Sequence, residues 1–137
     1  MAKRVLVVDD HAPTRTLIRT ILESEKSGSY EVVEAATGTE CLKAADAKGP
    51  FALILLDVNL PDMDGYAVCR AIRHVDKAVP ILFVTARSEM KDYAAGRDAG
   101  GDSYVVKPIA RASLRSLVAL FTGVDRRNPR TPEPAGP

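Results

Sequence analysis

Short apolar runs recur along the chain, with longer mixed segments between them. The runs are continuous rather than alternating, which is typical of strands that are buried on both faces of a sheet. Each segment between two runs is long enough for a helix, and this alternation predicts an α/β fold with a parallel sheet. The five predicted strands are residues 5–8, 30–35, 52–56, 80–84 and 103–106.

The segments between the strands have helical periodicity. In the first segment, Pro13 suits the first turn of a helix. Its apolar side chains fall on one helical stripe, formed by Leu17, Ile18, Ile21 and Leu22. Amphipathic helices are also predicted after Gly38 and after Gly65. A fourth helix is predicted over residues 88–97, which hold few large apolar side chains.

A fifth helix is predicted from about Ala110 to Phe121. Its apolar stripe is formed by Leu114, Leu117, Val118 and Phe121. Leu120 falls outside this stripe, so it is predicted to contact another surface. Parallel strands joined by right-handed helical connections give a doubly wound sheet.

The length of 137 residues fits a single domain, which we place at residues 1–122. Residues 123–137 are rich in proline and arginine and contain one sizeable aliphatic side chain, Val124. Such a segment cannot bury enough apolar surface to offset the entropy of ordering. We therefore predict that it is a disordered tail or a linker.

Composition and charge exclude several classes of protein. With 46% hydrophobic and 27% charged residues, the chain is typical of a globular protein. A net charge of +1 cannot attract a phosphate backbone strongly, so direct nucleic-acid binding is not expected. The first apolar run is too short for a signal sequence or a membrane span. Cys41 and Cys69 lack the spacing of a zinc site or a disulfide framework, and we expect buried thiols in a cytoplasmic protein.

Polar residues stand at the carboxyl ends of four predicted strands. They are Asp9 and Asp10 after the first strand, Asp57 after the third, Thr85 after the fourth and Lys107 after the fifth. In a doubly wound sheet, ligands bind outside the carboxyl ends of the strands. These residues are therefore predicted to form one site.

Each of these residues has a purely structural alternative when it is taken alone. A carboxylate after a strand is commonly a helix N-cap, and a lone lysine is usually a solvated charge. Asp57 differs because it lies between apolar residues, where an uncompensated charge is costly. The convergence of the whole set favours a functional site.

The predicted site has the chemistry of a phosphoryl acceptor. Carboxylates at neighbouring strand ends repel by about 4 kcal/mol per pair at about 4 Å and an effective dielectric constant of about 20. A cation has to offset this repulsion, and oxygen ligands without a nearby His or Cys favour Mg²⁺, with Mn²⁺ as an alternative. Lys107 adds positive charge and Thr85 a hydroxyl donor, and Asp57 is the carboxylate placed centrally.

Four stretches of the sequence occur in a characteristic order: VLVVDDH, LILLDVNLPDMDGY, PILFVTA and GRDAGGDSYVVKPI. Together they resemble the receiver domain of two-component response regulators, of the CheY-like superfamily, and the resemblance covers residues 3 to about 121. It implies a flavodoxin-like strand order, 2-1-3-4-5, with five helices. It also implies a signalling switch that accepts a phosphoryl group and is not otherwise an enzyme.

The same resemblance assigns the ligands of the metal. Asp10 is expected to coordinate Mg²⁺ directly and Asp9 mainly through water. Asp57 is expected to be both a ligand and the phosphoacceptor, and the backbone carbonyl of Asn59 completes the set.

The resemblance also assigns the contacts of the phosphoryl group. Thr85 and the backbone N–H of Ala86 are expected to bind it, and Lys107 to pair with it. Tyr104 matches the aromatic residue that switches together with Thr85. The Lys107–Pro108 peptide bond is expected to be cis.

Other residues of these stretches have different expected roles. Asn59 and Arg87 are expected to overhang the phosphoryl group and to affect its lifetime. Asp62 and Asp64 are interpreted as turn and cap residues. Further along, Gly101 and Ser103 replace the Ala and Asp that are common before the fifth strand, which affects the expected rigidity of that loop.

A histidine kinase or a histidine phosphotransfer protein is the phosphoryl donor that the resemblance implies. The expected recipient of the signal is a downstream protein or a fused output domain that contacts the surface of residues 88–121. No membrane partner is expected.

Three alternative functions remain open at this point. A flavodoxin-like FMN carrier shares the fold, but Asp9 and Asp10 would repel its phosphate. A phosphatase of the haloacid dehalogenase type uses an aspartyl nucleophile, but it would require a second acid at the position of Asn59. A pseudo-receiver keeps the fold without the switch, and it usually has gaps in the set of site residues.

Overall fold

A computed structural model describes residues 2–24 and 30–123 of the chain. Within these residues, five parallel strands form one sheet in the order β2-β1-β3-β4-β5. The strands are β1 (Lys3–Val8), β2 (Tyr30–Ala35), β3 (Leu53–Leu56), β4 (Ile81–Thr85) and β5 (Ser103–Val106). Each predicted strand overlaps an observed one, and the predicted fold class and strand order are confirmed.

A helix follows each strand. The helices are α1 (Ala12–Glu23), α2 (Gly38–Ala47), α3 (Gly65–Val75), α4 (Met90–Ala99) and α5 (Arg111–Thr122). The fourth helix starts and ends later than the predicted span 88–97. The reason is its cap: the backbone N–H of Glu89 donates to the carboxylate of Asp92 at 3.1 Å, so regular helix begins after Glu89.

The sheet separates two hydrophobic cores. Apolar side chains of α1 and α5 cover one face and contact Val5, Val7, Leu53 and Leu55. Side chains of α2 and α3 cover the other face and contact Leu6, Val8, Ile54 and Leu56. Successive strand residues alternate between the two cores. This double cover explains why the strand runs are apolar throughout.

The apolar stripe that was predicted for α1 is wrong at Leu17. Ile18, Ile21 and Leu22 are buried, as expected, but Leu17 is 41% exposed. Each helical residue turns by about 100°, which places Leu17 about 90° from the centre of the stripe formed by the other three. The stripe of α5 is confirmed, since Leu114, Leu117, Val118 and Phe121 all pack against the same core.

Gly101 allows β5 to lie close against the Phe83 ring of β4. A Cβ at position 101 would lie 2.5 Å from Phe83 Cε2 and 3.1 Å from the carbonyl oxygen of Gly96. Phe83 is fully buried, so it has little room to move away. The absence of a side chain at this position therefore reflects close packing rather than a loose loop.

The two cysteines are buried and free. Burial raises the pKa of the Cys41 thiol to about 12 and that of Cys69 to about 11. Both behave as small hydrophobic residues of the core. The predicted tail, residues 123–137, begins at the last described residue, Gly123; the rest of it lies outside the described residues.

Candidate functional site

The strand register brings the predicted site residues together at the carboxyl ends of the strands. Val8 of β1 pairs with Leu56 of β3, and Thr85 of β4 pairs with Val106 of β5. Directly after three of these paired residues come Asp9, Asp57 and Lys107. The carboxyl ends of β1, β3, β4 and β5 thus present their polar residues at the same level.

Lys107 connects two buried carboxylates. Its Nζ donates to Asp9 Oδ2 at 2.7 Å and to Asp57 Oδ2 at 3.0 Å. Asp9 is 2% exposed and Asp57 is 5% exposed. Because a buried charge needs a hydrogen-bonded partner of opposite charge, this lysine stabilises both acids and joins the ends of three strands.

The contact with Lys107 does not fully offset the cost of burying the Asp9 charge. Burial raises the pKa of Asp9, even though Lys107 and the backbone N–H of His11 both donate to its carboxylate. Burial alone would lower the pKa of Lys107, but its hydrogen bonds with Asp9 and Asp57 outweigh burial and raise it. Lys107 therefore stays charged, and the penalty of burial falls on Asp9.

Asp10 completes a cluster of three acids. Carboxylate oxygens of Asp9, Asp10 and Asp57 lie within 4.8 Å of one another, and Asp10 is exposed to solvent. Within the described part of the chain, the ion pairs to this cluster come from Lys107 alone. Three negative charges against one positive charge, with oxygen donors only, fit a hard divalent cation.

The loop after β3 folds tightly around Asp57. The backbone N–H of Asn59 donates to Asp57 Oδ1 at 3.1 Å, and that of Gly65 donates to the carbonyl of Val58 at 2.8 Å. A Cβ at position 65 would lie 2.3 Å from the backbone oxygen of Asp57. Glycine is thus required where α3 begins, and this close approach fixes the loop that carries Asn59.

The turn and cap roles predicted for Asp62 and Asp64 are confirmed. The Asp64 carboxylate accepts from the backbone N–H of Tyr66 at the start of α3. Asp62 accepts from the backbone N–H groups of Gly38 and Thr39 in the first turn of α2. The Thr39 hydroxyl and these two backbone donors lower the pKa of Asp62 to about 2. The loop is therefore fastened to α2 as well as to α3.

Thr85 and Arg87 lie at the end of β4. Thr85 is fully buried, and its Oγ1 accepts a hydrogen bond of 3.4 Å from the backbone N–H of Arg87. Between them, Ala86 is exposed. The Arg87 side chain reaches the loop after β3, where its Nε donates to Asn59 Oδ1 at 2.9 Å. The two residues predicted to overhang the site are thus in direct contact.

Tyr104 lies in β5, three residues before Lys107. The half-buried Tyr104 pairs in register with Phe83 of β4. Its hydroxyl lies 3.2 Å from the hydroxyl of Tyr66 on α3. The Lys107–Pro108 peptide bond is cis, as expected.

Sequence analysis missed several residues around this site. The sequence predicts an amphipathic helix after Gly65, but nothing in it points to a contact of the Tyr66 hydroxyl with Tyr104. Arg15 of α1 donates to the carbonyl of Asp9 at 2.7 Å, which sequence analysis did not foresee either. The role of Asp92 was detectable, because an acid three residues after Glu89 is typical of a helix N-terminus.

An apolar groove lies at the other end of the sheet, beside the amino-terminal ends of β3 and β4. It has a volume of about 430 Å³ between α2 and α3 and contains none of the predicted site residues. Its lining includes Leu42, Phe51, Ile72 and Val75. The polar constellation, rather than this groove, carries the functional argument, since a phosphoryl group and a hydrated cation need charge and not an apolar cavity.

Comparison with known proteins decides the family. The model of the response regulator receiver domain matches residues 5–119. The chain belongs to this family. Members are phosphoacceptor domains of two-component response regulators, and a phosphorylation-activated switch is their general function. Recognition of the receiver domain from the sequence is thereby confirmed.

Curated relatives are longer than this receiver domain. PhoP of Bacillus subtilis, an alkaline phosphatase synthesis transcriptional regulatory protein, is 41% identical over 118 residues, covering 86% of this chain and 48% of PhoP. ResD of the same organism is 41% identical over 128 residues, covering 93% and 50%. TrcR of Mycobacterium tuberculosis is 38% identical over 132 residues, covering 96% and 49%. The chain spans about half the length of these transcriptional regulatory proteins.

Solved receiver domains share the fold over their whole length. A CheY-like receiver domain protein of Methanospirillum hungatei superimposes with a TM-score of 0.83 at 28% identity, covering 93% of this chain and 98% of that one. The receiver domain of a sensor histidine kinase of Pseudomonas aeruginosa gives 0.80 at 31% identity, covering 90% and 99%. That structure has a magnesium ion coordinated in its active-site cleft.

Among the described residues, no helix combines the length and the apolar composition that crossing a bilayer requires.

Proposed function

We propose that Asp57 is the phosphorylation site of this receiver domain. The observation that carries the proposal is the Lys107 bridge, with 3.0 Å from Nζ to Asp57 Oδ2 and 2.7 Å to Asp9 Oδ2. A phosphoryl group on Asp57 adds negative charge next to an ammonium group that already contacts this carboxylate. Lys107 can then donate to a phosphoryl oxygen in a charge-assisted hydrogen bond.

We propose Mg²⁺ as the cation of the acidic cluster, with Mn²⁺ as a substitute. Asp9, Asp10, Asp57 and the backbone carbonyl of Asn59 supply its protein ligands. Support comes from the three carboxylates within 4.8 Å and from the exposure of Asp10, which leaves that side open to water and phosphate oxygens. The bound cation neutralises charge that develops on the phosphoryl oxygens during transfer.

The transfer step moves one phosphoryl group between two nucleophiles. A carboxylate oxygen of Asp57 forms a bond to phosphorus while the bond from phosphorus to the donor's histidine nitrogen breaks, and the nitrogen keeps the electron pair. The Thr85 hydroxyl and the Ala86 backbone N–H donate to phosphoryl oxygens. Attack of water on phosphorus later releases inorganic phosphate and restores the carboxylate. The domain thus catalyses only its own phosphorylation and dephosphorylation.

The donor in this proposal is a histidine kinase or a histidine phosphotransfer protein. The signal leaves through the surface of residues 88–121, which Thr85 and Tyr104 connect to the site, toward a downstream protein or a fused output domain. With a net charge of +1, the chain itself is not proposed to bind nucleic acid. The buried free thiols of Cys41 and Cys69 suit a reducing compartment, and we place the switch in the cytoplasm.

The test is labelling of the purified full chain by acetyl phosphate, followed by phosphate-affinity electrophoresis with and without Mg²⁺. We expect labelling of the wild type only with Mg²⁺, because the acids would otherwise repel the phosphate dianion. Asp57→Asn should remain unlabelled, because an amide is not a nucleophile for phosphorus. Asp98→Asn, the same substitution at an exposed site on α4, serves as the matched control and should label normally. Labelling of Asp57→Asn at the wild-type rate would overturn the proposal.

A further inference from the structure

Tyr66 occupies an unusual position for a residue on the apolar face of α3. The side chain is 6% exposed, and its ring packs edge-on against Phe83 with 5.3 Å between ring centroids. Its hydroxyl donates to the backbone carbonyl of Asp92 at 3.1 Å and lies 3.2 Å from the Tyr104 hydroxyl. The buried Tyr66 hydroxyl thus contacts both the first turn of α4 and the Tyr104 side chain of β5.

Tyr104 packs against two aromatic rings. Its ring centroid lies 5.9 Å from that of Phe83 and 4.7 Å from that of Tyr93, which belongs to α4. Burial and the hydrogen bond with Tyr66 raise the pKa of the Tyr104 phenol, so the Tyr104 hydroxyl stays protonated at neutral pH. The Tyr66–Tyr104 hydrogen bond therefore fixes the only polar atom of the Tyr104 side chain.

Arg87 connects this pair of tyrosines to the phosphorylation site. Its guanidinium carbon lies 6.0 Å from the centroid of the Tyr66 ring, and its Nε donates to Asn59 Oδ1 at 2.9 Å. Asn59 in turn donates its backbone N–H to Asp57 Oδ1. A continuous series of contacts therefore runs from Asp57 through Asn59 and Arg87 to Tyr66.

We propose that Tyr66 is a positioning residue of the switch, and that its hydroxyl holds Tyr104 and the first turn of α4 in the conformation that favours phosphorylation. This inference rests on the proposed function of Asp57. It adds a residue of α3 to a coupling that sequence analysis assigned to Thr85 and Tyr104.

The position of Thr85 indicates which state the hydroxyl favours. Strand alternation places Thr85 on the same face of β4 as Phe83, next to Tyr104. In this structure the Thr85 hydroxyl bonds to the backbone N–H of Arg87, at the end of the strand where the phosphoryl group would bind. The bond between Tyr104 and Tyr66 therefore occurs together with a Thr85 hydroxyl held at this end of the strand, and the proposal takes this arrangement as the one that favours phosphorylation.

The experiment follows the four tyrosines of the full chain by ¹⁹F NMR after labelling with 3-fluorotyrosine. Beryllofluoride with Mg²⁺ serves as the phosphoryl mimic, and single Tyr→Phe variants assign the signals. Tyr93 is the reporter, since it packs against Tyr104. Tyr30 reports native folding from a distant position, where its hydroxyl lies 3.2 Å from that of Thr122.

We expect Tyr66→Phe to weaken the apparent affinity for beryllofluoride by about 2- to 10-fold, the effect of one neutral hydrogen bond. In the absence of beryllofluoride, the Tyr93 signal should move away from its beryllofluoride-bound position along the line between the two states. Tyr104→Phe removes the same bond from the other side and should weaken affinity as well. The double variant should lose less than the product of the two single losses.

The matched control is Tyr30→Phe, which removes a buried hydroxyl of the same kind and should leave the affinity unchanged. Three results would overturn the proposed role of Tyr66 without affecting that of Asp57. They are wild-type affinity in Tyr66→Phe, tighter binding in Tyr66→Phe, and fully independent losses in the double variant. If the wild-type protein does not bind beryllofluoride, the proposed function of Asp57 fails and the inference fails with it. The two failures are therefore distinguishable.

Discussion

Arg87 bridges the loops after β3 and β4 at the mouth of the site. Its Nε donates to Asn59 Oδ1 at 2.9 Å, and its side chain is 40% exposed. If Asp57 carries the phosphoryl group, as proposed, a water molecule that attacks phosphorus in line is expected to pass this pair. Arg87 is then expected to shield the phosphoryl group and to neutralise its oxygens.

We expect Arg87→Ala to speed the loss of phosphate from Asp57 by roughly a few-fold to tenfold. A well-formed charge-assisted hydrogen bond contributes about 1.5 to 3 kcal/mol, and partial exposure reduces that contribution. The measurement is the half-life of the phosphorylated protein without kinase or phosphatase. Arg111→Ala removes a charge from an exposed position on α5 and serves as the control. An unchanged or longer half-life in Arg87→Ala would remove Arg87 from the mechanism.

Gly101 offers a test of packing at the scale of one methyl group. We expect Gly101→Ala to lower the free energy of unfolding by about 1 to 3 kcal/mol, because the new Cβ lies 2.5 Å from a Phe83 ring atom. Urea denaturation measures the effect. In the background of Phe83→Leu, which removes the ring, the same substitution should cost less. Equal losses in both backgrounds would mean that the clash with Phe83 is not the cause.

Among the elements, the end of α3 is joined to the sheet by Arg73. Its Nε donates to the carbonyl of Gly100 at 2.9 Å, and its Nη1 donates to the carbonyl of Val79 at 2.7 Å. Its Nη2 donates to the carboxylate of Asp102 at 3.0 Å. These partners belong to the loops before β4 and before β5. One side chain therefore fixes the amino-terminal ends of both strands relative to α3.

Removal of Arg73 should destabilise the whole domain. We expect Arg73→Ala to lower the free energy of unfolding by about 1.5 to 3 kcal/mol, since the Asp102 carboxylate and the carbonyls lose a charged donor. Thermal or urea denaturation measures this loss. Arg70→Ala, at an exposed position on the same helix, should change stability by less than about 0.5 kcal/mol. A similar loss in both variants would show that helix propensity, and not the contacts of Arg73, is responsible.

For the molecule as a whole, packing is uneven across the sheet, and it is weak at the edge formed by β5 and α4. The buried residues of α4 are Asp92, Gly96 and Ala99, which contribute little apolar area, whereas Met90 is 81% exposed. All four residues of β5, at the edge of the sheet, are only half-buried. Weakly packed elements open most easily, so the segment that carries Tyr104 is the one suited to change conformation.

We expect phosphorylation to change the conformation of residues 88–121 and to leave β2 and α2, at the other edge of the sheet, unchanged. Beryllofluoride with Mg²⁺ should alter amide hydrogen exchange in α4, β5 and α5, because the mimic is expected to contact Thr85 at the end of β4 and Lys107 just after β5. The segment 30–47, which holds β2 and α2, serves as the internal control. Unchanged exchange across 88–121 in protein that binds the mimic would place the signalling surface elsewhere.

The sequence by itself determined the fold and the polar residues that meet at the carboxyl ends of the strands. Strands buried on both faces need continuous apolar runs, so their positions and the α/β alternation are visible without a structure. Polar residues directly after those runs have to meet at one edge of a parallel sheet. Asp9, Asp57, Thr85 and Lys107 were therefore predictable, and the order of the four stretches then indicated the family.

Only the tertiary structure decided which side chains touch. The contact of Tyr66 with Tyr104 joins α3 to β5, that of Arg87 with Asn59 joins two loops, and Asp62 caps α2 from the loop after β3. The exposure of Leu17 depends likewise on where the sheet lies against α1. Such contacts link residues far apart in the chain, and their formation depends on the distance and orientation between packed elements. Local apolar periodicity carries no information about either quantity, because it reports only which face of an element is buried.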